Sequence, residues 1–551
     1  MGTLHEQRVE VLVVGAGPAG LSLAIELGRR GIRCLVLEQN DRVGLNPRAK
    51  TTNVRTREHL RRWGIAQALR DASPMPPDYP TDIVFATRMS GPLLARFENA
   101  FNGGRARNDL YSEEAQWVPQ YVLEEVLRRH AATLPTVELR FNTRLESFEQ
   151  DAAGVLARAH DTASGAELEI ASAYLVGADG ARSSVRSALG IRMSGESAFA
   201  KNYNAIFRAP GLAELHGHGR AIMYWLLNPE VPCVMGPMAA RDDLWFFITA
   251  RITDEEMAGL DPRELIQTAA GFRFELEIVG SDPWAAHRLI ADRYGEGRVF
   301  LAGDACHLHP PFGGYGMNMG VGEAVDLGWK MAATLRGWGG EALLASYETE
   351  RRPVHRRVMD EAVANYALVG QQLMRPGIEA PGPAGEATRN EVRELLLATK
   401  SREFQTLGVV LGSRYADSPI VVPDGSPPLG EHVSLYLPSA HPGCLAPHLW
   451  LADGSSLYDH FGAGFTLLAT ASDPREEAAG LLRAAEARGL PLTLLQPDEP
   501  RLEARYGARL ALIRPDQHVA WRGDRLPADA GALLDCIRGA APRRDQSRAA
   551  E

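Results

Sequence analysis

The stretch Val9-Glu10-Val11-Leu12-Val13-Val14-Gly15-Ala16-Gly17-Pro18-Ala19-Gly20 decides the fold. Its first six residues, rich in valine, read as a buried strand. The run of small residues then breaks the apolar stretch long before it could span a membrane, and the period becomes helical over 18–30. A second strand follows at 33–38. Strand, helix and strand make a βαβ unit, so the sheet is parallel and doubly wound. In such a turn Gly15 permits the tight bend, Gly17 lets a pyrophosphate approach the backbone and Gly20 lets the helix close on the strand. Pro18 and Ala19 open the helix, whose first N–H groups and partial positive charge suit phosphate. Glu38 ends the second strand, with Gln39 beside it, where an acidic side chain binds ribose hydroxyls. This motif alone does not separate NAD from FAD.

Two further motifs follow in chain order. Gly177-Ala178-Asp179-Gly180-Ala181-Arg182-Ser183-Ser184-Val185-Arg186 comes directly after an apolar strand at 174–176. The strand at 298–301 ends in Gly303-Asp304 and runs on through Ala305-Cys306-His307-Leu308-His309-Pro310-Pro311-Phe312 to Gly313-Gly314-Tyr315-Gly316-Met317-Asn318-Met319-Gly320. There a helix begins that reaches 335. Between the motifs, 76–110 loses helical period and a helix returns at 118–132. Short strands with turn signals, such as 221–227 and 244–250, fill 192–284 and predict a mostly antiparallel sheet. The Pro/Gly-rich stretch 375–385 reads as a loop within a helical region. Beyond 418 a second βαβ pattern (465–470, 476–488, 491–495) and two strands (510–513, 518–521) make a separate α/β unit.

Composition narrows the function. The chain has 551 residues, 45% of them hydrophobic, and a formal charge of −10, which argues against a nucleic-acid binder. The N-terminal residues lack the cationic start and apolar core of a signal peptide. Five scattered cysteines without a Cys-x-x-Cys pair fit a reducing cytoplasm. No metal is expected: Cys306, His307 and His309 are close together but lack the fourth ligand and spacing of a closed zinc site. His355, among Arg351, Arg352 and Arg356, reads as part of a solvated basic helix face.

The third motif resembles the GDxxHxxPPxGGxGxNxG segment of the single-component, class A FAD-dependent aromatic hydroxylases, in the phenol hydroxylase and polyketide hydroxylase subgroup. The resemblance implies FAD with Asp304 on its ribityl chain. It puts the turn from Pro311 through Gly314 to Gly316, Met317 and Asn318 beside the isoalloxazine ring. A helix N-terminus there would stabilise the negative charge of reduced flavin. Tyr315 stands where the family often has glutamine. By the same resemblance Asp179 serves FAD and NAD(P)H, Arg48 meets the pyrophosphate with its guanidinium fork, and Gln120 opens a helix beside the cofactor.

The implied architecture is α/β throughout. A discontinuous Rossmann-like FAD domain of the para-hydroxybenzoate hydroxylase type takes 1–75, 111–191 and 285–400. A substrate sheet takes 76–110 and 192–284, and a thioredoxin-like unit without the redox cysteine pair takes 418–545. The implied activity is hydroxylation of a phenolic or polyketide-like ring with dioxygen and NADPH or NADH, through a flavin hydroperoxide. Same-fold alternatives are Baeyer–Villiger insertion, epoxidation, nitro- or halogen-displacing oxygenation, and flavin oxidoreduction without oxygen insertion. Met223, Tyr224, Trp225, Phe246 and Phe247 are candidates for the substrate wall, of which strand alternation allows about half. Tyr224 and His287 are the candidate catalytic side chains, His287 because imidazole can deprotonate a phenol. Neither a nucleic-acid nor a membrane partner is expected, and a monomer and a homodimer both fit.

Overall fold

The computed structural model describes residues 5–41, 49–250, 259–367, 373–427, 429–470 and 475–541. Arg48 and the polar tail from Arg543 lie outside them. The opening βαβ unit is β1 (Val11–Val14), α1 (Pro18–Gly28) and β2 (Cys34–Leu37). It belongs to a six-stranded sheet with β5 (Val137–Arg140), β6 (Tyr174–Gly177), β12 (Gly295–Glu296) and β13 (Val299–Leu301). The order is β12-β13-β6-β1-β2-β5, parallel throughout except for the edge hairpin β12–β13. β1 and β2 are buried at every position, which is why they read as apolar runs and not as alternation. α1 packs on α3 (Gln120–Ala131) and on α6 (Gly316–Leu335), the helix that opens at the third motif.

An eight-stranded sheet stands beside it. Its strands are β3 (Ile83–Ala86), β4 (Leu93–Phe97), β7 (Met193–Arg208), β8 (Met223–Leu226), β9 (Cys233–Ala239), β10 (Leu244–Ala250), β11 (Glu277–Ala291) and β14 (His307–Leu308). The order is β14-β11-β7-β10-β9-β8-β3-β4, antiparallel save for β3 with β8. The expected antiparallel sheet is present, but its strands are not all short: β7 and β11 have 16 and 15 residues. Their pairing shifts register between Glu196 and Ala200 and again between Ile206 and Phe207. Bulges reset the alternation, and much of β11 is exposed, so neither strand shows a continuous period-two pattern.

The two faces of this sheet have different covers. Phe85, Trp225 and Phe246 share a cluster with Trp117, Phe312 and Val54. Val84, Tyr224, Trp245 and Phe247 point the other way, beneath α5 (Pro262–Ala270). Past α7 (Glu341–Ala367), helix α8 (Gly382–Thr399) begins inside the stretch expected to be loop, because Gly382 at φ +74° turns the chain and Pro383 fits a first helical turn.

The C-terminal sheet holds β15 (Phe465–Ala469), β16 (Leu492–Leu495), β17 (Leu510–Ile513) and β18 (Val519–Gly523) in the order β16-β15-β17-β18. β15 and β16 are parallel and the other pairs antiparallel. Residues of α9 (Arg475–Glu486) and α10 (Ala530–Ile537) cover one face, and Trp329 and Ala333 of α6 complete that core. Below it lies a fully buried ion cluster. Arg514 reaches Glu350 at 2.6 and 2.8 Å, Asp326 at 3.1 Å and Asp516 at 2.7 Å, and Lys330 reaches Asp326 at 2.8 Å and Glu350 at 2.6 Å. Among the described residues, no helix is long and apolar enough to cross a membrane.

Candidate functional site

The three motifs meet in space, and the glycines show how closely. Gly15 sits at φ +105°, and a Cβ there would lie 2.3 Å from the Ala178 carbonyl oxygen. A Cβ on Gly20 would fall 1.9 Å from the Gly15 oxygen. One on Gly320 would press to 3.2 Å on Gly303 Cα and 3.3 Å on Ala19 Cβ. These positions hold backbone against backbone. Gly17 differs: a Cβ there meets no atom of the described residues within 4 Å, so it faces open space among them beside the uncapped N-terminus of α1.

Neighbouring side chains are already engaged in holding this cradle. Glu38 Oε2 accepts from the Ala16 N–H at 3.0 Å and Oε1 from Asn40; Gln39 is exposed. Asp179 Oδ2 accepts from Ser184 and Val185 at the start of α4 (Ser184–Ala188), while buried Oδ1 has no partner among the described residues. Arg186 links the second motif to the third by donating to the Ala305 carbonyl at 2.8 Å. Gln120 accepts from the Ala49 N–H at 3.2 Å and donates to Glu124 at 2.7 Å. It thus fixes the segment that leads out of Arg48.

Asp304 lies in a single 3-10 turn at the end of β13, after Gly303 at φ +63°. The Gly303 N–H donates to buried Glu323 at 2.8 Å. Gly313 and Gly314, at φ +78° and +65°, swing the chain from exposed Pro311 into α6, which has no side-chain cap. Half-buried Gly316 and Met317 therefore present first-turn backbone N–H groups. Asn318 serves differently. Its side chain accepts from the Asn53 N–H and donates to the Thr51 and Gly314 carbonyls, fastening the turn to the segment before α2 (Val54–Arg62). Tyr315 turns away into a cluster with Val358, Ala362 and Val409, and burial raises its phenol pKa.

Above the turn, the Trp225 ring lies 6.0 Å from Phe312, and Trp117 lies 6.1 Å from Phe246. Met223 packs on the same cluster. Lys50 places Nζ 4.2 Å from the Phe246 ring centre, and burial lowers its pKa to about 8. Sequence reasoning missed this lysine; its one signal was adjacency to Asn46-Pro47-Arg48-Ala49.

Tyr224 and His355 depart from expectation. Tyr224 and Phe247 are not on the Phe312 face: Tyr224 is wholly buried on the α5 side and donates its hydroxyl proton to the Gly219 carbonyl at 2.7 Å. His287 is tied to the bulge of β7, where Nδ1 accepts from the Ala198 N–H at 3.2 Å, so that nitrogen is already in use. His355 is no surface residue. It and Arg351, one turn earlier, face inward at 0% and 7% exposure, while Arg356 is exposed.

The cradle suits a dinucleotide: an open Gly17, two uncapped helix starts and close glycine contacts that bring them together. Comparison with known proteins agrees. Residues 8–362 match the FAD binding domain family, and 439–541 match the aromatic-ring hydroxylase C-terminal family. Aklavinone 12-hydroxylase RdmE of Streptomyces purpurascens is 34% identical across 97% of this chain and 99% of its own. The 2,4-dichlorophenol 6-monooxygenase of Cupriavidus pinatubonensis is 31% identical, covering 96% of both. Among solved structures, the rebeccamycin biosynthetic enzyme RebC with reduced flavin superimposes with TM-score 0.89 at 38% identity, covering 97% of this chain and 100% of that one. Aklavinone-11 hydroxylase with FAD and aklavinone gives 0.83 at 32% identity, covering 96% and 99%. The chain belongs to the FAD-dependent aromatic-ring hydroxylase family. It is an oxidoreductase, a flavin monooxygenase with FAD as its cofactor.

Proposed function

We propose that this monooxygenase hydroxylates a polycyclic phenol of the polyketide type, consuming dioxygen and NAD(P)H. The observation that carries this reading is the aromatic cluster of Trp225, Phe246 and Trp117 on the sheet face shared with Phe312, the Trp225 ring 6.0 Å from that of Phe312. Flat rings stack on such a surface by dispersion and quadrupole attraction. Relatives named as putative polyketide hydroxylases agree with it.

FAD supplies the hydride acceptor and the oxygen activation. The chain's part is to bind, orient and exclude water. Gly15, Gly17, Pro18, Ala19 and Gly20 would hold the pyrophosphate with Arg48, while Glu38 and Gln39 would meet the adenosine ribose. Asp304 would take the ribityl chain. Pro311, Gly314, Gly316, Met317 and the Asn318 backbone would border the ring, with Asp179 and Gln120 supporting. Lys50, protonated at neutral pH, would donate to a phenolate oxygen at the aromatic cluster. The C-terminal unit, with two antiparallel strands continuing one side of its parallel pair, is read as thioredoxin-like and structural. The five cysteines, four of them buried, suit a reducing cytoplasm.

The test is anaerobic reduction of the bound flavin by NADPH or NADH, with and without polycyclic and simple phenols, followed by oxygen-isotope analysis of products. Bleaching accelerated by polycyclic phenols, with one labelled oxygen in the product, is expected. Rapid bleaching in their absence, or acceleration by simple phenols alone, would contradict the proposal.

A further inference from the structure

Three imidazoles from two elements converge behind the flavin turn. His307 lies on β14, His309 follows two residues on, and His355 comes from α7. The His307 and His355 rings are 3.6 Å apart, and His309 is 5.4 Å from His355. His307 and His355 are fully buried. One ring nitrogen from each of the three lies within 4.8 Å of the others.

Their hydrogen bonds fix which nitrogens are free. His307 Nε2 is 2.8 Å from the Glu323 carboxylate, so it carries the proton, and Nδ1 keeps a lone pair. His309 Nδ1 is 2.8 Å from the Pro310 carbonyl, an acceptor only, so Nε2 keeps its lone pair. His307 Nδ1, His309 Nε2 and both nitrogens of His355 have no partner among the described residues. Buried polar atoms without partners are rare and costly. Here three imidazoles leave four nitrogens unsatisfied among the described residues.

We propose that His307, His309 and His355 form a binding site for a divalent transition-metal ion of the zinc type. Imidazole nitrogen is a preferred ligand of such ions. The Glu323–His307 contact repeats the carboxylate–histidine arrangement that orients metal-ligating imidazoles and raises their basicity. Glu323 also brings negative charge to the site. Tetrahedral bonds of about 2.0–2.1 Å need nitrogens about 3.4 Å apart. His355, whose ring nitrogens have no partner among the described residues, is the ring that would turn towards the ion. Half-buried His309 gives access, and three protein ligands leave a fourth position for water. The neighbouring trio of Cys306, His307 and Glu323 is the weaker site. Cys306 stays a thiol because burial raises its pKa, and His307 Nε2 and Glu323 are spent on each other.

An ion here would tie α7 to the flavin turn. His309 already lies against Gly316, at 3.5 Å from the Cβ position there. The test uses the full FAD-loaded protein, dialysed against a chelator and then titrated with Zn2+ in competition with a chromogenic chelator. Co2+ serves as a spectroscopic probe. One ion per chain is expected, with a Co2+ spectrum of low coordination number. His355→Phe, which keeps ring volume and the stack on His307, should weaken binding at least tenfold, and so should His309→Gln. Flavin content reports whether each variant has folded. Should His355→Phe fail to load flavin, His309→Gln decides alone. Absence of a one-to-one ion in the parent protein, or affinity unchanged in the folded variants, overturns the proposal.

Discussion

Two buried polar regions lie along the same helix and have opposite characters. Beside the turn that opens α6, polar atoms have no partner among the described residues: His307 Nδ1, His309 Nε2 and both nitrogens of His355. Ten residues further on, Asp326 and Lys330 join Glu350, Arg514 and Asp516, and no charged atom of these five lacks a partner. Burial raises the Asp326 pKa to about 8, which brings the cluster near neutrality. The first region has unspent capacity for ligands. The second spends all of its capacity on holding the C-terminal unit to the flavin domain.

Breaking the second region should have the largest effect. Arg514→Met leaves Glu350, Asp326 and Asp516 buried with only Lys330 to compensate them, a loss of about 3–5 kcal/mol. A denaturation midpoint for the C-terminal unit equal to the parent's would remove the contrast. Breaking the first region should spare the fold and cost the ligand. Gly17→Val adds a side chain where no atom of the described residues lies within 4 Å, so stability is retained while FAD binds at least tenfold more weakly, about 1.4 kcal/mol. Stoichiometric flavin in that variant would mean the open space serves nothing.

The smallest effect is in the pH response, where the regions should differ in sign. Burial depresses His309 to about 4 and lowers His355. Their contribution is present above about pH 6.5 and is lost as pH falls towards 4, because the unfolded chain takes up protons first. Asp326 is raised, so its term favours the folded state increasingly as pH falls from about 8. Acid should therefore release flavin before the C-terminal unit undocks. Simultaneous loss, followed by flavin fluorescence and circular dichroism, would show that the two regions are not independent.

How much of this could be read in the sequence followed distance along the chain. The turn at Gly15–Gly20 and the helix at 316–335 were legible because each is a local pattern with one physical solution: glycine where backbones touch, a helix where the period becomes 3.6. The substrate face was half legible. Alternation separates Trp225 from Tyr224, but nothing local says which face meets Phe312. The ion cluster was invisible, since Asp326 and Arg514 are 188 residues apart and each looks like a surface charge. His355 was misread for a related reason. Among three arginines it resembles a solvated stripe, and only the tertiary position of α7 turns it inward.

Arg514 also sets a clock. Synthesis proceeds from the N-terminus, and early units begin folding while later ones are still being made. Asp326, Lys330 and Glu350 emerge long before Arg514, so the nascent flavin domain must shelter two acids and one base without the cation that completes them. The ribosome has to deliver nearly the whole chain before that interior can close. A transcript cut short upstream of residue 514 would then yield a product that stays open to proteases and chaperones, rather than a smaller working enzyme.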